Sequence, residues 1–230
     1  MNESNPSDRE RRDFAVQLER ALCRTPSVRL PDEECDRRAA VILLLAPEPG
    51  SVLRTESEGA LIHQPVSALF VLRAAHDGDP WSGHVALPGG RVEDEDTDLV
   101  ETAMRETREE TAVDLARDAV LAPLDEIHPR SVHLPSIGVT PYVGWVDERP
   151  EIRENHEIAG HIWVPLPVLR APESRSTLAL PGRPDRVFPT IEYAGAVIWG
   201  LTHAIVEDFL RRVAPQAKRR APLRLVRPPR

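Results

Sequence analysis

The chain has 230 residues, a hydrophobic fraction of 41% and a formal net charge of −8. This length and composition are typical of one globular domain with a terminal extension, and they exclude a wholly disordered chain. The negative charge argues against a nucleic-acid-binding protein, and two cysteines without a CxxC spacing argue against a disulfide framework or a zinc site.

The first predicted element is an amphipathic helix in "DFAVQLERALC", residues 13–23, which is expected to cover one side of the domain. Its apolar residues at helical spacing are Phe14, Leu18, Ala21 and Leu22. Residues 39–50 and 66–75 are short runs rich in branched apolar residues and bounded by proline, glycine and charge, which is typical of strands. A loop then leads into a helix predicted from about Asp96 to Thr111, with Asp96 as its N-cap.

Three further strands are predicted, at residues 119–129, 137–147 and 158–166. The Pro-rich segment 178–195 is expected to be an excursion from the regular elements. A last helix is predicted at 197–213, with apolar residues at helical intervals: Ile198, Leu201, Ile205 and Phe209. Strands on both sides of a central helix predict an α/β or α+β fold, in which helices cover a sheet.

These elements divide the chain into an N-terminal helical extension (1–38), a central domain (39–214) and a basic Pro/Arg-rich tail (215–230). The tail has six positive charges: Lys218, Arg219, Arg220, Arg224, Arg227 and Arg230. We interpret it as a solvated end, with an anchor for anionic ligands or membranes as the alternative. No apolar run approaches the roughly 18 residues of a membrane span, and the first 14 residues do not contain the apolar segment expected of a signal peptide. A cytoplasmic protein is therefore expected.

The most informative segment is "LPGGRVEDEDTDLVETAMRETREET", residues 87–111. On a helix, Glu106, Glu109 and Glu110 converge on one patch, where their like charges repel. Two explanations stay open at this point. The patch is either a solvated helix face, relieved by pairing of Arg105 with Glu101 and Glu109, or a site for a divalent cation, because Mg²⁺ prefers carboxylate oxygens.

The same segment resembles the Nudix box. That pattern is a glycine, five residues, a glutamate, seven residues, Arg-Glu, an apolar position, any residue, Glu-Glu, any residue, Gly and an apolar residue. The matching residues are Gly90, Arg105, Glu106, Glu109, Glu110 and Val113. The sequence departs in having Asp96 for the first glutamate, one extra residue before Arg105, Thr107 at an apolar position and Ala112 for glycine.

These departures resemble the coenzyme A pyrophosphatase branch of the Nudix hydrolases. That branch also has an Arg-containing strand followed by a Gly-x-Val-x-Phe-Pro-Gly-Gly run. The residues that follow this layout are Arg73, Gly83, Val85, Leu87, Pro88, Gly89 and Gly90, with Leu87 for phenylalanine. Asp79 stands where the branch has a basic residue.

The resemblance implies a Nudix α/β/α sandwich, with a mixed sheet flanked by helices. It implies metal-dependent cleavage of the diphosphate of coenzyme A or a similar nucleoside diphosphate derivative. Mg²⁺ or Mn²⁺ would be held by Glu106, Glu109 and Glu110, and Arg105 would orient a box glutamate. Glu157, just before a predicted strand, is the candidate general base, with a solvated glutamate at a strand edge as the alternative. Arg73 is the candidate for binding a phosphate together with Gly89 and Gly90, with an arginine at the surface or the edge of the core as the alternative.

Other functions stay open from the sequence. The substrate could be ADP-ribose, a dinucleotide or a nucleoside triphosphate, because recognition lies outside the box. A Nudix module that senses a nucleotide without turning it over is a third reading, although the complete set of three glutamates favours an enzyme. The expected partner is a small nucleotide diphosphate substrate, with no nucleic acid and no membrane, and the resemblance leaves a homodimer open.

Overall fold

The computed structural model describes residues 6–31, 35–54, 61–75, 82–128, 136–180 and 183–214. The basic tail predicted for 215–230 lies outside these residues. The helices described are α1 (Pro6–Leu22), α2 (Leu99–Thr111), α3 (Leu166–Arg170) and α4 (Gly200–Val213). The first strands are β1 (Arg37–Pro47), β2 (Val66–Arg73), β3 (Val85–Ala86), β4 (Gly89–Arg91) and β5 (Val120–Pro123). The later strands are β6 (Ile137–Trp145), β7 (Ile158–Pro165), β8 (Arg175–Leu180), β9 (Arg183–Tyr193) and β10 (Ala196–Ile198).

Two sheets form in the described part of the chain. The larger has seven strands in the order β3-β2-β1-β6-β5, with β4 also pairing with β1 and β7 with β2. It is a mixed sheet, because β1 and β6 run parallel while the other pairs are antiparallel. The smaller is an antiparallel sheet of β10, β9 and β8.

Strand β1 lies at the centre of the large sheet and is buried on both faces, as its uninterrupted apolar sequence predicts. Successive side chains of a strand point to opposite faces. Ile42 and Leu44 accordingly pack in the cluster that includes Ala103 of α2. Leu43 and Leu45 pack on the other face.

That other face is covered by α1 and α4. Phe14 and Leu18 of α1 belong to the same buried cluster as Val206 and Phe209 of α4. The amphipathic helix predicted near the N-terminus is therefore present, and it begins at Pro6, earlier than the apolar pattern indicated. With α2 on one face and α1 and α4 on the other, the mixed α+β fold with a flanked sheet is confirmed. Within the described ranges, no helix combines the length and apolar character needed to cross a bilayer.

A buried arginine ties the two covering helices together. Arg212 of α4 has a side chain that is almost fully buried, and its Nε lies 3.1 Å from Asp208 Oδ2. The same guanidinium pairs with Asp125 and donates to the carbonyl oxygen of Thr25 at 2.7 Å, just beyond the end of α1. Charged groups are seldom buried without such partners, so this network fixes α1 and α4 against each other.

Three sequence predictions about elements were wrong. The N-cap of α2 is Asp98, whose Oδ1 accepts from the N–H of Glu101 at 2.9 Å, and the helix therefore begins at Leu99 rather than near Asp96. The Pro-rich excursion at 178–195 is instead largely strand, because it contains the end of β8 and all of β9. Ile198 belongs to β10, so α4 begins only at Gly200.

Candidate active site

Two consecutive glycines bring the loop before α2 close to both the sheet and the helix. Gly89 and Gly90 open β4, which pairs antiparallel with β1. Gly89 has φ +144°, and a Cβ there would lie well under 3.0 Å from the carbonyl oxygen of Ala40. A Cβ at Gly90 would similarly overlap the carboxylate of Glu106. Only glycine fits at these two positions without a shift of the neighbouring atoms.

Glu110 is the most deeply placed carboxylate of α2, with a side chain only 3% exposed. Its Oε2 accepts from the N–H of Gly89 at 2.9 Å, and its Oε1 lies 4.0 Å from Nη1 of Arg73. Burial raises the pKa of Glu110 to about 7, against the opposing effects of the Gly89 N–H and the Arg73 charge. Burial therefore disfavours the ionised form of Glu110, and a bound cation would stabilise it.

Glu106 and Glu109 lie nearer the surface. The side chain of Glu106 is 16% exposed and that of Glu109 is 50% exposed. Burial raises the pKa of Glu106, while the neighbouring Arg105 opposes this effect and the charges of Glu109 and Glu157 add to it. The predicted acidic patch is thus graded in depth, from half exposed at Glu109 to buried at Glu110, which does not fit a fully solvated helix face.

Arg105 contacts the glutamates of α2 on one side and forms an ion pair with Asp96 on the other. Its Nε donates to Asp96 Oδ1 at 2.9 Å and its Nη2 donates to Asp96 Oδ2 at 3.0 Å, which is a bidentate ion pair. These hydrogen bonds from Arg105 are the main cause that lowers the pKa of Asp96 to about 2. The remaining nitrogen, Nη1, lies 3.1 Å from Glu106 Oε1 and 3.4 Å from Glu109 Oε2. Asp96 therefore fixes the guanidinium that contacts two of the glutamates.

The role of Asp96 is one that sequence reasoning missed. Asp96 stands at the position of the first glutamate in the Nudix box, and that alignment was the available signal for a partner of Arg105. The predicted pairing of Arg105 with Glu109 is present. Glu101, the other predicted partner, instead accepts hydrogen bonds from the N–H and hydroxyl of Thr97.

Glu157 and Arg73 lie at the adjoining ends of β7 and β2. The carbonyl oxygen of Glu157 accepts from the N–H of Ala74 at 2.7 Å, immediately after Arg73. The side chain of Glu157 is half exposed, and its charge contributes to the raised pKa values of Glu106 and Glu110. All of the predicted site residues, on α2, β2, β4 and before β7, thus fall in one region.

The chemistry of this carboxylate set fits a hard divalent cation. Within the residues that the structure describes, no three acidic, histidine or cysteine side chains are already gathered as a metal site. The ion pairs explain this, because Arg105 lies against Glu106 and Glu109 while Glu110 turns to Gly89. Carboxylate oxygens are nevertheless the ligands that Mg²⁺ and Mn²⁺ prefer.

Comparisons with known proteins place the chain in a family. The model of the NUDIX domain matches residues 37–180. The uncharacterized Nudix hydrolase NudL of Yersinia enterocolitica is 32% identical over 179 residues, covering 74% of this chain and 88% of that protein. NudL of Yersinia pestis is 31% identical over 157 residues, covering 67% and 76%. A MutT/nudix family protein from Enterococcus faecalis shares the fold, with a TM-score of 0.50, 17% identity and coverage of 92% and 76%. The chain therefore belongs to the NUDIX domain family and is an enzyme of the Nudix hydrolase type.

Proposed function

We propose that the chain is a divalent-cation-dependent pyrophosphohydrolase that cleaves the diphosphate of coenzyme A or a similar nucleoside diphosphate derivative. The observation that carries the proposal is the buried carboxylate of Glu110, which lies between the N–H of Gly89 and the guanidinium of Arg73. A buried carboxylate whose pKa is raised, next to an arginine, is typical of a functional site.

The carboxylates of Glu106, Glu109 and Glu110 would hold Mg²⁺ or Mn²⁺. When bound, such a cation offsets charge on the diphosphate and lowers the pKa of a coordinated water. The support for this assignment is the donor chemistry together with the graded burial of the three side chains.

The protein's own residues would bind the phosphate, orient the metal-binding glutamates and accept the proton. Arg73 would bind a phosphate oxygen beside Gly89 and Gly90, whose lack of a Cβ lets β1 and the Glu106 carboxylate come close to this loop. Arg105, fixed by Asp96, would orient Glu106. Glu157 would accept a proton from the attacking water, whose oxygen bonds to phosphorus as the bond from phosphorus to the leaving oxygen breaks.

Coenzyme A is favoured by the layout of Arg73 and the run from Gly83 to Gly90, which resembles that branch of the family. Its cleavage would give 4′-phosphopantetheine and 3′,5′-ADP. Asp79, which lies outside the described residues, replaces the basic residue of that branch and favours a second candidate. This second candidate is a Nudix hydrolase of ADP-ribose, a dinucleotide or a nucleoside triphosphate.

The test is to incubate the protein with coenzyme A, ADP-ribose or diadenosine polyphosphates and Mg²⁺ or Mn²⁺, and to identify products by mass. Glu109→Gln is the site variant. Glu101→Gln is its matched control, because Glu101 lies on the same helix but hydrogen-bonds to Thr97. We expect 3′,5′-ADP from coenzyme A, lost in Glu109→Gln and retained in Glu101→Gln. Cleavage of another substrate alone would replace the coenzyme A assignment, and nucleotide binding without any cleavage would contradict catalysis.

Two further expectations stay predictions, the division of the chain at residues 38 and 214 and a cytoplasmic location, and the resemblance leaves a homodimer open. Light scattering on the purified protein would give the molecular mass of the assembly and would distinguish a monomer from a dimer.

A further inference from the structure

A histidine on strand β7 points to the face of the large sheet that α2 covers. Trp163, two residues further along β7, packs against the buried cluster that includes Ala103 of α2. Side chains two residues apart on a strand share a face, so His161 points to the same side. His161 is the partner of Val71 on β2, two residues before Arg73. Diagonal neighbours of this kind lie about 7 to 8 Å apart, which places His161 within side-chain reach of Arg73.

The ring of His161 is held by a carboxylate. Its Nδ1 lies 2.6 Å from Glu154 Oε1, and the side chains of His161 and Glu154 are 31% and 34% exposed. A carboxylate at this distance means that Nδ1 carries a proton and donates it to Glu154. The other ring nitrogen, Nε2, has no hydrogen-bond partner among the residues that the structure describes. The pair therefore presents one ring nitrogen, in a fixed orientation, to a ligand.

Glu154 is in turn connected to the end of α2. Its neighbour Asn155 donates its N–H to the carbonyl oxygen of Glu110 at 3.4 Å. The carboxylate of the same Glu110 lies 4.0 Å from the guanidinium of Arg73. A short path of contacts thus joins His161 to the two side chains at the centre of the candidate active site.

We propose that His161 is a further substrate-binding residue, whose Nε2 donates a hydrogen bond to a phosphate oxygen of a nucleoside diphosphate derivative. This inference rests on the pyrophosphohydrolase function proposed above, and it adds a second cationic group beside Arg73. A carboxylate on Nδ1 and a phosphate on Nε2 both stabilise the ring that is protonated on both nitrogens. Glu154 is then a positioning residue, because it acts on the substrate only through His161.

A purely structural role makes a different prediction. If the ion pair only fastens the segment of Glu154 to β7, a side chain that keeps the hydrogen bond to Glu154 should preserve affinity. His161→Asn is such a change, because its amide nitrogen takes the place of Nδ1 and nothing replaces Nε2. His161→Gln places its amide nitrogen near the position of Nε2 and gives up the contact with Glu154. The two roles therefore predict opposite orders of affinity for these variants.

The experiment measures the binding of adenosine 5′-(α,β-methylene)diphosphate by isothermal titration calorimetry with Mg²⁺ present. The bridging carbon of this analogue prevents hydrolysis. We expect His161→Asn to raise the dissociation constant roughly 10- to 100-fold, as the loss of a hydrogen bond to a charged group predicts, and His161→Gln to stay within about 3-fold of the wild type. During turnover, His161→Asn should raise KM and leave kcat nearly unchanged, because it removes binding that the ground state and the transition state share.

Two controls separate substrate binding from indirect effects. His63→Asn should leave affinity unchanged, because His63 is exposed and its neighbour Ile62 packs on the other face of the sheet. Glu154→Ala should weaken binding while His161 is present and have no further effect in the His161→Asn background. Circular dichroism and urea unfolding establish that each variant is folded. If His161→Asn does not fold, His161→Ala replaces it with the same expectation.

The possible results distinguish this inference from the proposed function. Wild-type affinity in a folded His161→Asn, or a greater loss in His161→Gln than in His161→Asn, would overturn the assignment of His161 even if the enzyme is active. Failure of the wild type to bind the analogue would overturn it as well. A loss in His161→Asn that His161→Gln restores, without hydrolysis of any nucleotide by the wild type, would support His161 and overturn the pyrophosphohydrolase function.

Discussion

The ion pair between Asp96 and Arg105 has a strength that can be worked out from the structure. The pKa of Asp96 falls from an ordinary value of 3.8 to about 2, mainly because Arg105 hydrogen-bonds to it, and its side chain is only 2% exposed. At about 1.4 kcal/mol for each pH unit, the ionised carboxylate contributes about 2 kcal/mol of stability at neutral pH. Asp96→Asn keeps the shape and removes the charge, and we therefore expect it to cost about 2 kcal/mol at pH 7.

The direction of the Asp96 pKa shift determines how its contribution to stability changes with pH. Because the folded-state pKa is lowered, the contribution is present above pH 3.8 and is lost as the pH falls toward 2. The difference between wild type and Asp96→Asn, measured by urea unfolding, should be constant from pH 7 to 5 and shrink at pH 3. Asp98→Asn is the matched control, because Asp98 is exposed and asparagine caps a helix about as well as aspartate. An equal cost in both variants, or a difference that grows toward pH 3, would refute the reasoning.

Three other substitutions test the packing of the site and the core. Gly90→Ala should displace the Glu106 carboxylate without backbone strain. We therefore expect a normal circular dichroism spectrum and a kcat that is lowered about 10- to 100-fold in a steady-state assay, and full activity would contradict this. Gly89→Ala adds an unfavourable φ and a backbone clash, and it should lose more than about 2 kcal/mol in urea unfolding, with a wild-type midpoint as the contrary result. Arg212→Met removes the buried cation of the network, although the exposed Arg211 still pairs with Asp208, and it should cost about 3 kcal/mol; a change in thermal midpoint within experimental error would rule the network out as a source of stability.

The sequence predicted the central helix and five of the seven strands of the large sheet, because their patterns are local, whereas the short β3 and β4 lie outside the predicted strands. β1 is a buried apolar run, and α2 ends at Thr111 as expected. The start of α2 was misassigned because Asp96, Thr97 and Asp98 can all cap a helix. The choice depends on Arg105, which reaches back nine residues to Asp96 and leaves Asp98 to cap.

The hairpin of β8 and β9 was missed for a different reason. Prolines argue against strands because they cannot donate to a neighbouring strand. Pro189 of β9 lies opposite Thr177 of β8. Because β10 pairs with β9 only at Ile191–Tyr193, the other edge of β9 has no described partner strand at Pro189, and a proline is tolerated at such an edge. The contact between the rings of His84 and Trp199 could not be anticipated either, since these two residues lie more than a hundred positions apart.

The covering of the large sheet by α1 and α4 has a consequence for how the chain folds as it is synthesised. The segment shared with the family spans residues 37–180, and both covering helices lie outside it. α1 leaves the ribosome before the sheet exists, whereas α4 follows the last strand of the small sheet. One apolar face of the sheet therefore stays partly uncovered until residues 200–213 have been synthesised. Until Arg212 pairs with Asp125, the nascent protein exposes an apolar surface that favours aggregation with other chains.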